Sequence, residues 1–171
     1  MNPAVLPSLP PASPIGPLPL RVVLDTQIVM DWLVFDEPRI RPIIARVESR
    51  HLLWTATAPM KAEMLHVLGR GVAARYSPDL ARIHAAFQQH CEFIEVPVLG
   101  ISRPRCSDED DQKFIDLALH LAVSQPTVLL SRDRAVLKVA KRAAKLGLSI
   151  LSPDAWLQRH ATTALTDLAS Q

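Results

Sequence analysis

Short apolar segments alternate with longer helical patterns from Arg21 onward, and this alternation constrains the fold more than any other feature. Five segments are apolar at successive positions, which is typical of strands buried on both faces. They are RVVLD (21–25), HLLWTA (51–56), EFIEV (92–96), TVLLS (127–131) and LSILS (148–152). Helices are expected at about 26–50 (two, with Pro42 opening the second), 58–70, 78–91, 108–124 and 133–146, with a short one after Pro153. The sequence therefore predicts an α/β three-layer sandwich, with a central parallel five-stranded sheet and helices on both faces.

The first 20 residues differ from the rest, with seven of the 15 prolines and no charged side chain. Proline at this density excludes a continuous helix, and a secretory signal would need a basic start and an uninterrupted apolar stretch. We predict a flexible leader (1–20), one domain (21–160) and a C-terminal tail (161–171). No segment reaches the roughly 18 apolar residues of a membrane span, so no membrane partner is expected. The two cysteines lack a CxxC spacing, which favours a reducing, cytoplasmic location.

Glycine-rich phosphate loops and the GxSxG nucleophile motif are missing, which argues against the commonest nucleotide-binding and hydrolase classes. The net charge of +2 does not by itself require a nucleic-acid partner. In open α/β sheets, ligands bind beyond the carboxyl ends of the strands. Acidic residues stand at the ends of two predicted strands, and these become the candidate functional residues.

Asp25 ends the first predicted strand, and Asp133 follows the fourth. Each also precedes a helical pattern, so each is a candidate helix N-cap, with Thr26 assisting at the first. The alternative is a carboxylate held at the ligand-binding edge of the sheet. The local sequence leaves both interpretations open.

Glu63 lies beside the apolar stripe of its predicted helix, which is Met60, Met64, Val67 and Leu68. A carboxylate that faces the sheet is costly unless a cation or hydrogen-bond donors compensate it. The alternative is that the Glu63 side chain bends to the rim of the sheet or pairs with a neighbouring arginine.

Asp111 closes the acidic run Asp108-Glu109-Asp110-Asp111 at a predicted helix start, where the helix dipole favours acids. That explanation mostly suffices for the first three. Asp111 instead heads the apolar stripe Phe114, Ile115, Ala118 and Ala122, and is expected to point at the sheet.

Four carboxylates from separate segments are thus expected at one edge, where they would repel one another and raise each other's pKa. A divalent cation that prefers oxygen ligands, Mg²⁺ or Mn²⁺, would remove that repulsion. Such sites carry out phosphoryl chemistry. Zinc is not expected, because His and Cys pairs at zinc-binding spacing are missing.

Four motifs in this order resemble the PIN domain, and most closely the bacterial branch described as toxin components of toxin–antitoxin systems. They are VVLDTQIV (22–29), APMKAEMLHVL (58–68), CSDEDDQKFIDLAL (106–119) and LLSRDRAVL (129–137). The resemblance covers about residues 21–157. It implies Mg²⁺- or Mn²⁺-dependent cleavage of single-stranded RNA by an activated water, leaving 3′-hydroxyl and 5′-phosphate ends. It also implies a homodimer and a small antitoxin partner.

The resemblance assigns the catalytic and metal-binding roles to the acids Asp25, Glu63, Asp111 and Asp133. Asp108 matches a further acid, and Ser131 matches a small hydroxyl residue before the last Asp. Thr26 and Gln27 complete the first motif, but the family usually has Asn where Gln27 stands. The extra methylene of Gln27 could displace a hydrogen bond that orients Asp25, with low or altered activity as the result.

Basic residues crowd the helix after the fourth strand, among them Arg132, Arg134 and Lys138. They are either a solvated outer face or contacts to RNA phosphates. The favoured hypothesis is an active ribonuclease. One alternative is a PIN-fold scaffold or regulatory module that binds RNA or protein with weakened catalysis. Another, a receiver-like or phosphatase-like protein with an Asp phosphoacceptor, is disfavoured because the first strand ends in a single Asp and no lone Lys ends a late strand.

Overall fold

The computed structural model describes residues 19–100 and 102–168, with residues 162–168 described by their backbone alone. Most of the predicted leader and the end of the predicted tail lie outside the described residues. Within the described ranges, no helix is long and apolar enough to cross a membrane.

Five strands form one sheet in which every neighbouring pair is parallel, as predicted. The strands are β1 (Leu20–Leu24), β2 (Leu52–Thr57), β3 (Cys91–Ile94), β4 (Thr127–Leu130) and β5 (Ser149–Leu151). Their spatial order is β3-β2-β1-β4-β5. The chain builds the sheet outward from β1 in one direction and then crosses to β4 on its other side. The strand order therefore reverses between β1 and β4, which is where open α/β sheets bind ligands.

Eight α-helices are described between and after these strands. They are α1 (Thr26–Leu33), α2 (Arg41–Glu48), α3 (Ala58–Gly69), α4 (Leu80–His90), α5 (Gln112–Ala122), α6 (Arg134–Lys138), α7 (Ala140–Ala144) and α8 (Pro153–Leu168). The helix expected at 133–146 is divided in two, because the Val139 N–H bonds the Val136 carbonyl, a tighter 3₁₀ pattern. The last helix is longer than expected. Helix α5 also begins later, since residues 109–112 form a turn closed by a bond from the Gln112 N–H to the Glu109 carbonyl (3.2 Å).

Helices cover both faces of the sheet, and each face has its own apolar core. One core joins Val22 and Leu24 of β1 to buried residues of α1, α2, α4 and α8. The other joins Val23 to buried residues of α5, α6 and α7. Neighbouring residues of β1 thus point to opposite faces, so the strand is apolar throughout, as its sequence predicted. The three-layer α/β architecture is confirmed.

The ends of β1 and β4 are in register. Leu24 pairs with Leu130, and the Asp25 N–H donates to the Leu130 carbonyl (3.2 Å). The next residues, Asp25 and Ser131, therefore lie side by side at the point where the strand order reverses.

Candidate active site

Asp25 is held at the carboxyl end of β1 with only 5% of its surface exposed. It is the N-cap of α1, and its Oδ1 accepts a hydrogen bond from the Ile28 N–H (2.9 Å). Burial raises the pKa of its carboxyl group, while bonds from the Ser131 hydroxyl and from the Ile28 and Arg132 N–H groups oppose the rise. The Asp25 side chain therefore caps α1 and also lies at the ligand-binding edge of the sheet, so the two interpretations are compatible.

Ser131 connects the two strand ends. It is fully buried, its hydroxyl bonds the Asp25 carboxylate, and its Oγ accepts from the Asp133 N–H (2.9 Å). Asp133 is exposed and is the N-cap of α6, with Oδ1 accepting from the Ala135 N–H (2.6 Å). We call Asp25, Ser131 and Asp133 the strand-end group. Its members are oriented by hydrogen bonds from neighbouring backbone and from one another.

The second source of carboxylates is the acidic turn, residues 106–111, which enters α5. Asp108 is exposed, and its Oδ1 accepts from the Asp110 N–H (3.0 Å). Asp111 stands at the N-cap position of α5, yet its side chain makes no capping hydrogen bond. Glu109 and Asp110 are exposed. The Asp111 carboxylate therefore keeps its oxygens available for another partner.

The electrostatics of Asp111 place the acidic turn beside the strand-end group. The pKa of its carboxyl group is raised to about 6, first by burial and then by repulsion from Asp133, Asp108 and Asp25. Lys113 opposes the rise. Repulsion of this kind requires carboxylates near one another. The charges of Asp25, Asp108 and Asp133 thus act on Asp111 at this edge of the sheet.

Glu63 is placed differently from the expected inward orientation. It lies on α3 with 45% of its side chain exposed, and its Oε2 forms an ion pair with Lys113 Nζ. This is close to the alternative of a rim position with a cationic partner, with a lysine in place of an arginine. Through Lys113, Glu63 is linked to the neighbourhood of Asp111, and its part in a metal site remains a prediction.

Gln27 and Thr26 do not contact Asp25 through their side chains in the described bonds. The exposed Gln27 donates from Nε2 to Oδ1 of Asp31 (3.0 Å). Thr26 is half-buried and lines a small apolar cavity with Met60 and Phe114. The orientation of Asp25 is therefore supplied by other donors, so the replacement of Asn by Gln does not remove it.

The three basic residues predicted to bind RNA fall into two groups. Arg132 forms an ion pair with the buried carboxylate of Asp31, and 27% of its side chain is exposed. Arg134 and Lys138 are exposed on α6, directly after Asp133. Only the latter two extend into solvent beside the candidate site.

The donor set suits a divalent cation in its chemistry. All of its members are carboxylates, which Mg²⁺ and Mn²⁺ prefer, and a cation would relieve the repulsion that raises the pKa of Asp111. In the part of the chain that the structure describes, no three His, Cys, Asp or Glu side chains are grouped closely enough to hold one metal ion.

Two residues near the site were missed by sequence reasoning. Asp31 is the only charged residue in IVMDWL (28–33), and a buried acid in an apolar helix requires a partner. Lys113 follows Asp111 by two residues, and a lysine just after an acidic run is a signal for local charge compensation. Both signals were present in the sequence, but their partners were not identifiable from it.

Comparison with known proteins identifies the family of the chain. A family model described as PIN domain matches residues 21–135, which span β1 through the start of α6. A search among curated proteins found no match. The matched region contains the strand-end group, the acidic turn and Glu63. The chain belongs to the PIN-domain family, and its fold is of the nuclease type.

Proposed function

We propose that this protein is an endoribonuclease that cleaves single-stranded RNA with Mg²⁺ or Mn²⁺, through Asp25, Asp111 and Asp133 with Glu63 as a fourth acid. The observation that carries the proposal is the meeting of Asp25, Ser131 and Asp133 at the in-register ends of β1 and β4, where the strand order reverses. The pKa of Asp111, raised to about 6 in part by Asp133 and Asp25, agrees with a position beside them. Membership of the PIN-domain family adds support, because PIN domains are generally nucleases that act on nucleic acids and typically use divalent metals.

Each side chain has a distinct task in this proposal. Asp25, buried and held by three donors, is a rigid ligand whose position is set before substrate arrives. Asp133 is oriented by the Ala135 N–H and presents its remaining oxygen to solvent. Asp111, which makes no capping bond, keeps its oxygens available to the cation, and its raised pKa is expected to fall when the cation binds.

A bound divalent cation would polarise the phosphodiester and lower the pKa of a water molecule. Asp25, Asp111 and Asp133 would hold it after drawing closer together, because no three acids of the described residues lie within reach of one ion. Glu63 could join them once separated from Lys113. The exposed Arg134 and Lys138 would contact phosphates on either side of the cleaved bond, which makes affinity for RNA dependent on salt.

A biological role follows from the same proposal. We propose that the protein is the toxin of a toxin–antitoxin pair, acts in the cytoplasm, forms a homodimer and is inhibited by a cognate antitoxin. The scaffold alternative, in which catalysis has decayed, depended on Gln27. Because Gln27 bonds Asp31 and Asp25 keeps other donors, that substitution no longer favours it.

Metal-dependent stability tests the site without a known substrate. Saturating Mn²⁺ or Mg²⁺ is expected to raise the unfolding temperature by about 5–10 °C at a concentration near 100 times Kd. Asp133→Asn is expected to abolish this rise, and so is Asp25→Asn. The matched control is Asp79→Asn, since Asp79 is an exposed N-cap of α4 outside the site. If neither metal changes the unfolding temperature of the wild type, the result would favour the scaffold alternative.

Cleavage is tested by expressing the chain in bacteria and sequencing RNA ends. The wild type is expected to produce new 5′-phosphate ends and to slow growth, whereas Asp111→Ala is expected to do neither. Asp110→Ala is the matched control, because Asp110 is an exposed neighbour in the same acidic run. Identical RNA profiles for the wild type and Asp111→Ala would refute enzymatic activity. Cleavage without slowed growth would remove the toxin role alone.

A further inference from the structure

We infer that Asp31 and Arg132 are positioning residues for the strand-end group, and that Gln27 is the third member of the same clamp. We call these three residues the α1 clamp. Its catalytic consequence rests on the proposed function, whereas its structural effect on Asp25 does not.

Asp31 occupies an unusual place for an acid. It lies on α1 between the buried residues Met30 and Trp32, and only 4% of its surface is exposed. Its Oδ1 accepts from Gln27 Nε2 (3.0 Å), and its Oδ2 accepts from Arg132 Nη1. A carboxylate in such a place is tolerated only with its charge and lone pairs satisfied. The clamp satisfies both oxygens.

Arg132 interacts with two acids, one through its backbone and one through its side chain. Its backbone N–H lies beside the Asp25 carboxylate and lowers the pKa of that group, and its guanidinium pairs with Asp31. It also precedes Asp133 directly, in the turn between β4 and α6. The ion pair therefore fastens this turn to α1, the helix that Asp25 caps. The donor to Asp25 and the backbone of Asp133 share one anchored segment.

Asp31 is the acid that directly bonds the Arg132 guanidinium, whose Nη2 is already buried without a hydrogen-bond partner among the described residues. If Asp31 loses its charge, the partly exposed guanidinium loses this bonded counter-ion, and Glu37 is the neighbouring acid to which it can turn. The side chain is then expected to leave its place and carry the turn with it, displacing the Arg132 N–H from Asp25.

Helix α5 offers a natural comparison with the same chemistry. There, Gln112 Nε2 and Arg103 Nε both donate to Oδ1 of Asp116, over 2.7 and 2.6 Å. In both helices a Gln donates to an Asp four residues later, and an Arg from another segment completes the group. Arg103, however, holds the segment before the acidic turn and makes no described bond to the strand-end group. Asp116→Asn is therefore a matched control for Asp31→Asn.

Amide hydrogen exchange tests the structural step in the metal-free full-length chain. Asp31→Asn is expected to accelerate exchange of the Arg132 amide at least about tenfold more than exchange of the Leu129 amide in β4, which reports general loss of stability. Asp116→Asn is expected to accelerate the two amides equally. If Asp31→Asn also changes both amides to the same extent, the α1 clamp does not position the turn and the inference is overturned.

Kinetics with Mn²⁺ and a fluorescently labelled single-stranded RNA test the catalytic step. Asp31→Asn and Arg132→Gln are each expected to lower kcat about 10- to 100-fold with KM within about twofold, because a misplaced ligand slows chemistry more than binding. The double variant is expected to be no worse than either single variant, since both remove one interaction. Arg132→Lys is expected to recover part of kcat.

A phosphate-binding role for Arg132 predicts the opposite pattern. In that case Arg132→Gln raises KM and lowers the salt dependence of binding, while Asp31→Asn leaves kcat unchanged, and the positioning role is refuted. A wild type that neither responds to Mn²⁺ nor cleaves RNA would remove the proposed function. The α1 clamp would then be tested by the amide exchange rates alone. Glu92→Gln, which breaks the Arg21–Glu92 ion pair between β1 and β3, is the kinetic control and is expected to keep kcat.

Discussion

The strand-end group and the acidic turn bring carboxylates to the same edge of the sheet but hold them in opposite ways. Asp25 is almost completely buried, and three hydrogen-bond donors fix it. Asp111 is half-buried, receives no capping bond and faces three other acids that raise its pKa to about 6. Hydrogen bonds partly offset the burial that raises the pKa of Asp25, whereas Asp111 is left with repulsion that a cation would relieve.

This difference separates residues that stabilise the fold from residues that are suited to bind a ligand. The hydrogen bonds of Ser131 belong to the folded core, so their loss is expected to weaken the whole fold. The repulsion around Asp111 acts against folding, so its loss is expected to strengthen the metal-free fold. Substitutions in the two groups should therefore change stability in opposite directions, which makes the division measurable.

The largest effect on stability is expected from Ser131→Ala in the strand-end group. It removes a donor to the Asp25 carboxylate and the acceptor of the Asp133 N–H, and Ser131 is fully buried. We expect a loss of about 1–3 kcal/mol in the free energy of unfolding, measured by denaturant titration without metal. The Mn²⁺-induced rise in unfolding temperature is expected to shrink as well.

A suitable control is Ser124→Ala, because the Ser124 hydroxyl bonds the Leu121 carbonyl at the end of α5, away from both groups. It is expected to cost less than Ser131→Ala and to keep the full response to Mn²⁺. If Ser131→Ala has no effect on either quantity, the strand-end group is not held as described and the comparison fails.

The next effect has the opposite sign and comes from Asp111→Asn. The pKa of Asp111 is raised from 3.8 to about 6, so the folded state binds more protons than the unfolded state between these values. The stability due to protonation is full below about pH 4 and lost as the pH rises through about 6. Partial exposure reduces the effect, so we expect Asp111→Asn to gain about 1 kcal/mol, or about 2–4 °C, at pH 8 without metal.

The pH dependence distinguishes this explanation from a general change in packing. The gap in unfolding temperature between Asp111→Asn and the wild type is expected to be closed near pH 4, to open as the pH rises to about 6 and to be full above that. Asp110→Asn, in the same run, is expected to show no such gap. With saturating Mn²⁺ at pH 8 the order should reverse, because only the wild type gains from metal. A gap that is independent of pH would contradict the electrostatic origin.

The sequence predicted the strand-end group better than the acidic turn, for physical reasons. Strand ends follow from the pattern of apolar residues, and adjacent parallel strands end at the same edge, so Asp25 and Asp133 were placed by the sheet. The capping role of each was also anticipated. Ser131 was identified only through the family resemblance. Its position between Asp25 and Asp133 follows from the register of β1 and β4.

The turn at 109–112 and the ion pairs were beyond sequence reasoning. A helical stripe shows which residues share a face but not where the regular helix begins, so α5 was expected four residues too early. Glu63 was expected beside the sheet, and the long side chain reaches the rim, where Lys113 neutralises it. The Asp31–Arg132 pair joins residues 101 positions apart, and such pairing follows from topology rather than from local pattern.

The smallest expected effect concerns Lys113, the cation that moderates the acidic turn. Its ammonium pairs with Glu63 and lowers the pKa of Asp111, so Lys113→Gln is expected to raise that pKa further. Removing a positive charge should also tighten Mn²⁺ binding about 1.4- to fivefold, the range expected from a partly exposed ion pair of about 0.2–1 kcal/mol. NMR titration of the Asp111 carboxyl group and calorimetry with Mn²⁺ measure the pKa and the binding affinity.

The control is Lys61→Gln, which changes a lysine packed on Phe87 and Phe93 and should alter neither quantity. If Lys113→Gln instead weakens Mn²⁺ binding, Lys113 helps to hold the acids in position more than it repels the metal ion. The acidic turn is then held more firmly than its missing capping bond implies.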